Sequence, residues 1–477
     1  MKRLLTLLLC GLFLLSVGCG PSYIDVMDSP TTTSTTYPTV DATTLPTATT
    51  SSQTSGTGES SGTSADTSSS GSTATTGDTV TTEGEDTTDT TATTTTTTTT
   101  TTKPTTSTTK PITPPASGGE HRALWVSTYA NLDYPSDRTL SAATLKTECE
   151  TIVNRAKEIG ITTLYFQVRP CGDALYESDY FPTSRYVVAK QGDPLPVDIL
   201  AYMTSVAHAA GLELYAWVNP VRIKAYASET LASTNPAVKH PEWTISLSSG
   251  ALYYNLGLPE VRKLIADGVA EIVQNYDVDG VIFDDYFYPY GGISDAADAD
   301  AYAAYGAGKT RDEFRRASVN QSLKACYDRI KAIDPNCQFG VSPFGIRLNS
   351  DAGTSGQQSY HTIYCDAVAW MSGGYVDFIA PQLYWSASHP QAPYKPLAKW
   401  WASQADLYGV DFLPALAAYR YDSAQVTSDV FTSGEITRQI TYSRDLDGYA
   451  GFSLFRYYFL FEGAKGGVDD EIIDLLA

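Results

Sequence analysis

The chain is short of cysteine, of basic residues and of long apolar runs, and each shortage closes off a class of function. It has seven cysteines in 477 residues, none in a Cys-x-x-Cys pair. With Cys10 and Cys19 set aside, Cys149, Cys171, Cys326, Cys337 and Cys365 remain. That odd, scattered set indicates neither a disulfide framework nor a zinc site, and reads mostly as small buried side chains. Lys and Arg number 32 against 53 Asp and Glu, a net charge of −21, which argues against nucleic acid as a partner. No Gly-x-Gly-x-x-Gly follows the first predicted strand and there is no P-loop, so no nucleotide cofactor is expected, and no metal. Beyond the N-terminus no run is long and apolar enough for a transmembrane helix.

Aromatics are missing altogether between Tyr37 and Trp125. From about residue 29 to 119 the composition collapses to Thr, Ser, Gly, Pro and Ala, with an unbroken Thr run at 93–102. Such a stretch cannot bury enough apolar surface to offset its ordering entropy, so a disordered linker is expected over 19–119. Roughly ninety residues of flexible chain reach about 50 Å on average. Ahead of it, Lys2 and Arg3 precede the apolar run 4–17, which has signal-peptide form and is too short to span a bilayer. The run ends Leu15-Ser16-Val17-Gly18-Cys19, similar to a bacterial lipobox with Ser16 where Leu is usual. A lipoprotein signal peptide over 1–18, a lipid on Cys19 and an extracytoplasmic, membrane-anchored location are therefore expected. Ordinary secretion is the alternative.

Residues 120–477 are long enough for one large domain. Strand-like runs at 122–128, 162–168, 212–218, 280–284, 338–342, 378–384, 412–417 and 450–455 alternate with amphipathic stretches at 143–158, 196–210, 259–275, 309–333, 360–372, 396–407 and 434–444. Pro196 and Pro259 suit first helical turns, and Gly160 and Gly211 suit helix ends. Eight such alternations predict an α/β fold, a (β/α)8 TIM barrel, ahead of an open doubly wound sheet.

The most informative segment is 279–290. Gly280-Val281-Ile282-Phe283 reads as a strand buried on both faces. Asp284 and Asp285 follow at its carboxyl end, and then Tyr286, Phe287, Tyr288, Pro289 and Tyr290. In a barrel, chemistry belongs to residues at the carboxyl ends of the strands. Acids beside aromatics there suit gripping and cleaving a sugar, whereas a plain helix cap has no use for the aromatics. Other strand ends add Trp125, Gln167, Arg169, Asn219, Ser342, Gln382, Tyr384 and Trp385, with Arg222 beyond Asn219. Aromatic faces stack on pyranose rings, amides read hydroxyl and acetamido groups, and Arg169 would pair with a carboxylate such as a lactyl group.

The segments 122–126, 166–174, 216–220, 283–290, 342–345 and 380–385, in this order, resemble the bacterial "family 10-like" glycosyl hydrolases, once a domain of unknown function. The resemblance covers essentially all of 120–460 and departs at Cys171, where a small residue such as Ala is usual. It implies a TIM barrel acting on a glycan, plausibly cell-wall peptidoglycan. The expected glycosidase has Asp284 as its inward catalytic acid, with Asp285 and Asp173 as the candidates for the second. Trp125, Gln167, Arg169, Asn219, Tyr286, Gln382, Tyr384 and Trp385 are the expected substrate contacts, with a glycan and the membrane as partners and a monomeric state. Asp279-Gly280-x-x-x-Asp284-x-Tyr286 is also similar to the strand-four signature of chitinase-like enzymes, although Tyr286 replaces their Glu. That likeness implies Asp284 orienting an acetamido group that Tyr384 bonds. The alternatives are a carbohydrate-binding lipoprotein on a non-catalytic barrel, since no second acid stands out at strands five and six, and a surface attachment protein.

Overall fold

A computed structural model of the chain describes residues 119–461 apart from 423–425 and 427, together with 472 and 475. The expected signal peptide, Cys19 and the linker up to residue 118 lie outside the described residues.

Strands form where β-branched and aromatic residues run together. In chain order they are β1 (His121–Val126), β2 (Thr163–Arg169), β3 (Glu213–Val218), β4 (Arg222–Lys224), β5 (Thr244–Ser246), β6 (Leu252–Tyr254), β7 (Gly280–Phe283), β8 (Gln338–Val341), β9 (Phe378–Ile379), β10 (Asp411–Phe412), β11 (Ala415–Ala417) and β12 (Gly451–Phe455). Nine of them make one parallel sheet in the order β10-β9-β8-β7-β3-β2-β1-β12-β11. Its two outermost members are halves of one chain pass, split where Pro414 has no N–H to give to a ladder. Because β9 pairs with β10 and β11 with β12, the pairing runs round eight chain passes and the sheet curls upon itself. This is the expected α/β class.

The inner side of the curl is unusually aromatic. Trp125 meets Tyr165 edge-on at 4.8 Å and Trp217 at 4.9 Å, and Tyr215 lies 5.7 Å from Phe378. Rings of this size need small neighbours in the same layer. Gly280 and Gly340 provide them. A Cβ on Gly280 would lie 2.6 Å from the Tyr215 ring, and one on Gly340 would lie 2.2 Å from that of Phe378.

The outer layer is α1 (Ala142–Glu158), α2 (Ile199–Ala210), α3 (Pro259–Asn275), α4 (Arg311–Ile333), α5 (Ala367–Ser372), α6 (Tyr394–Tyr408) and α7 (Glu435–Ser443), with shorter turns between. Local chemistry sets the ends of these helices. Ser141 and Asp198 cap α1 and α2 through side-chain oxygens, and Thr310 with Glu313 forms a capping box on α4. Pro259 stands in the first turn of α3, and Gly211 closes α2 at φ 80°. Pro196 does not begin a helix, because Asp198 makes the cap two residues later. The stretch expected as one helix over 360–372 is broken, since Tyr364 takes a left-handed φ of 57° just before α5. One element had no counterpart in the sequence reading, a small antiparallel sheet β4-β6-β5 inserted between β3 and β7.

Candidate active site

The site is built where β3 and β7 end side by side. Their parallel register pairs Val218 with Phe283, so Asn219 and Asp284 leave the sheet at the same level. Asn219 turns the chain toward β4, its Oδ1 accepting from the backbone N–H of Arg222 at 2.9 Å. Its Nδ2 donates to Asp284 Oδ2 at 3.2 Å, and the indole N–H of Trp217 donates to the same oxygen at 3.0 Å. Asp285 is held from the other side. The Tyr290 hydroxyl and the Gln382 side chain hydrogen-bond its carboxyl group, and Gln382 also donates to the Ser342 carbonyl at 3.1 Å.

Both acids are buried, and burial dominates their chemistry. It pushes Asp284 up to about 7, with the Asp285 charge adding to the effect, and Arg222 and the two hydrogen bonds opposing it. Burial pushes Asp285 up to about 6 against the bonds from Tyr290 and Gln382. One oxygen of each, Oδ1, is buried with no hydrogen-bond partner among the described residues. A buried carboxyl oxygen left without a partner is costly, which is the mark of an atom kept for a ligand.

Aromatics run away from the pair as a continuous wall. Tyr286 contacts Tyr290 at 5.4 Å, Tyr290 contacts Phe344 at 6.0 Å, and Phe344 contacts Trp385 at 5.6 Å. Tyr286 and Trp385 each keep 8% of their surface exposed, at the two ends of this run. Tyr384 is fully enclosed beside Phe455 at 5.7 Å. Burial and the Tyr419, Asp285, Tyr286 and Asp284 neighbours push its phenol well up, so it stays a neutral donor.

The structure thus gathers Asp284, Asp285, Asn219, Gln382, Tyr286, Tyr384 and Trp385. The remaining expected residues lie elsewhere. Trp125 sits below the site inside the curl, donating to Ser453 Oγ at 2.9 Å and supporting Trp217. Gln167 accepts from the backbone N–H groups of Thr128 and Tyr129 at 2.9 and 2.8 Å, so it fixes the loop after β1. Asp173 is enclosed in its own network, with Gln191 donating at 2.9 Å and the Arg185 guanidinium ion-paired at 3.5 Å, and it bonds neither acid.

Arg169 stands apart from the acids as well. The pairing of β2 with β3 slips between Gln167 and Arg169, and this bulge breaks the alternation that would have turned the side chain inward. Arg169 packs instead over the Phe181 ring at 3.6 Å and against Gly268 of α3. The cation beside the acids is Arg222. Its guanidinium lies 4.1 Å from the Tyr129 ring centroid and 4.8 Å from that of Tyr286. Tyr290 and Arg222 were noted in the sequence only as neighbours of the acids and of Asn219, and neither they nor Trp217 were given a role. Trp217 has the same parity as Tyr215 and Asn219, a signal that marks it as inward-facing.

A curled parallel sheet carrying paired buried acids and an aromatic wall at its carboxyl end has the form of a carbohydrate-active protein. Comparison with known proteins narrows the class. Residues 120–433 match the family glycosyl hydrolase-like 10, and the chain belongs to that family. It is 36% identical over 352 residues to the glycosyl hydrolase YngK of Bacillus subtilis, covering 71% of this chain and 69% of the relative. Against the glycosyl hydrolase DigH of Escherichia coli K12 the identity is 32% over 377 residues, covering 73% of this chain and 86% of the relative. Among solved structures, the glycoside hydrolase domain of PgaB (BpsB) from Bordetella bronchiseptica overlaps with a TM-score of 0.46 at 13% identity, over 72% of this chain and 95% of that one.

Proposed function

We propose that the protein is a glycoside hydrolase, a (β/α)8 barrel that cleaves the acetamido-sugar strands of cell-wall peptidoglycan. The observation that carries the reading is the adjacent pair of buried acids, each gripped at one oxygen and free at the other. Asp284, the more strongly raised of the two, holds a proton near neutral pH and donates it to the leaving glycosidic oxygen. Asp285 is the more readily charged, and its carboxylate faces the positive charge that develops at the anomeric carbon. The aromatic wall supplies stacking faces for the sugar rings, and Asn219, Gln382 and Tyr384 supply polar contacts.

Location is part of the proposal. A lipid on Cys19 would hold the chain at the outer face of a membrane, and the linker would let the barrel reach wall strands. Cys19→Ala should then release the protein from the membrane fraction, and persistent association would exclude this anchor.

The reading is tested by incubating the protein with peptidoglycan strands, chitin oligomers and xylan oligomers and identifying products by mass spectrometry. Cleavage of the acetamido polymers is expected. Cleavage of xylan alone would overturn the substrate while leaving the reaction class. One observation favours a binding protein instead, namely that Asp173, the candidate second acid on a loop other than that of Asp285, bonds elsewhere. Saturable binding of strands with no products would establish that alternative.

A further inference from the structure

Arg222 is buried at the edge of the site, and among the described residues no carboxylate is in direct ion-pair contact with it. Its guanidinium lies over the Tyr129 ring at 4.1 Å and over the Tyr286 ring at 4.8 Å. Nη2 donates to the Pro170 carbonyl at 2.9 Å, whereas Nε is buried with no hydrogen-bond partner. Two other buried arginines are matched by acids: Arg315 Nε pairs with Asp298 at 2.8 Å, and Arg456 pairs with Asp133. Buried Arg169 has no ion pair among the described residues either, but it lies over Phe181, apart from the acids. Among the described residues Arg222 is in no ion pair. Asp284 feels its charge, yet the groups that bond Asp284 are Trp217 and Asn219. A buried guanidinium packed against two rings, without a carboxylate bonded to it, is costly unless an anion arrives to match it. Held rigid in this way, it also loses little entropy when it binds a planar anion.

Its place in the chain ties it to the reaction centre. The backbone N–H of Arg222 is held by Asn219, which also bonds Asp284, and its stacking partner Tyr286 directly follows Asp285. A carboxylate brought to this guanidinium would therefore belong to a sugar lying across the two acids.

We propose that Arg222, packed against Tyr129 and Tyr286, forms a subsite for a carboxylate-bearing sugar next to the cleavage point. This inference rests on the glycosidase reading and makes it more specific. Acetamido sugars alone do not satisfy the subsite, and a strand carrying carboxylate groups does. The carboxylate can be the lactyl group of a muramic residue or the carboxyl group of a uronic acid.

The test compares matched substrates. Peptidoglycan strands freed of their stem peptides, which otherwise hold the lactyl carboxyl as an amide, are prepared with that carboxyl intact and with it reduced to an alcohol, and a uronic-acid-containing acetamido polymer forms a third arm. For the wild-type protein kcat/KM should favour the intact over the reduced strand by about tenfold or more, the scale of one charge-assisted hydrogen bond. In Arg222→Gln that ratio should fall toward one whatever the absolute rate, and Arg222→Lys should keep part of it. An unchanged ratio in Arg222→Gln, or a wild-type ratio of one, overturns the proposal. Preference for the uronic polymer over the muramic strand assigns the carboxylate to a uronic acid, and the reverse assigns it to the lactyl group. Binding of intact and reduced strands to Asp284→Asn gives the same ratio from Kd. It therefore decides the subsite even if no strand is cleaved, an outcome that would overturn the glycosidase reading alone.

Discussion

Trp217 on β3 donates its indole N–H to Asp284 Oδ2 at 3.0 Å, across to the end of β7. The indole is itself wedged edge-on against Trp125 at 4.9 Å, so the acid inherits the rigidity of the layer beneath it. Trp217→Phe keeps the ring and deletes the donor. A fall in kcat of about tenfold, with KM little changed, is expected from the loss of one bond to the reacting group. Steady-state kinetics on a defined strand check this.

The two acids set the pH behaviour of activity. If Asp284 must be protonated and Asp285 charged, activity rises as pH passes about 6 and falls as it passes about 7. The profile should be a narrow bell between those values. Asp285→Asn should remove the acidic limb along with most of the rate.

They also affect stability. Both carboxyl groups titrate higher when folded than their usual 3.8. Between about pH 4 and pH 7 the folded chain therefore holds protons that the unfolded chain has released, and their contribution to stability falls as pH rises. Asp284→Asn removes one such contribution. Its Tm should match that of the wild type near pH 4 and exceed it by a few degrees, roughly, at pH 8. A Tm difference that does not vary with pH would contradict the buried, raised acid.

Arg169 and Arg222 should separate cleanly. Arg169 lies over Phe181 in the helix layer, so Arg169→Met should shift Tm while leaving the intact-to-reduced substrate ratio at its wild-type value. A collapse of that ratio in Arg169→Met would place substrate at the wrong arginine.

The aromatic interior predicts intolerance at its glycines. Gly340→Ala would set a Cβ 2.2 Å from the Phe378 ring, within a layer that has no slack. A loss of about 1–3 kcal/mol is expected for such overpacking, read as a lowered denaturation midpoint.

What could be read from sequence follows the physics of each signal. The apolar run 280–283 with acids after it is strand-like at short range, and β7 ends where those acids begin. Asn219 and Gln382 were legible as strand-end amides, and both bond the acids. Arg169 was misplaced because a single-residue slip in β2 inverts every inward assignment beyond it, and pairing slips leave no local mark in sequence. Arg222 was noted beyond Asn219 but given no role, because it sits on β4, within the small inserted sheet, whose strands are three residues each and too short to show a period. The break at Tyr364 was equally invisible, since neither Gly nor Pro marks it.

The central claim is that Asp284 carries the chemistry of a glycosidase. The most direct measurement is release of soluble sugar products from peptidoglycan strands, by mass spectrometry, for the wild type and Asp284→Asn with matched melting curves. The account predicts products from the wild type and a rate at least about a hundredfold lower for Asp284→Asn in a protein that remains folded. Near-full turnover by a folded Asp284→Asn variant would contradict it.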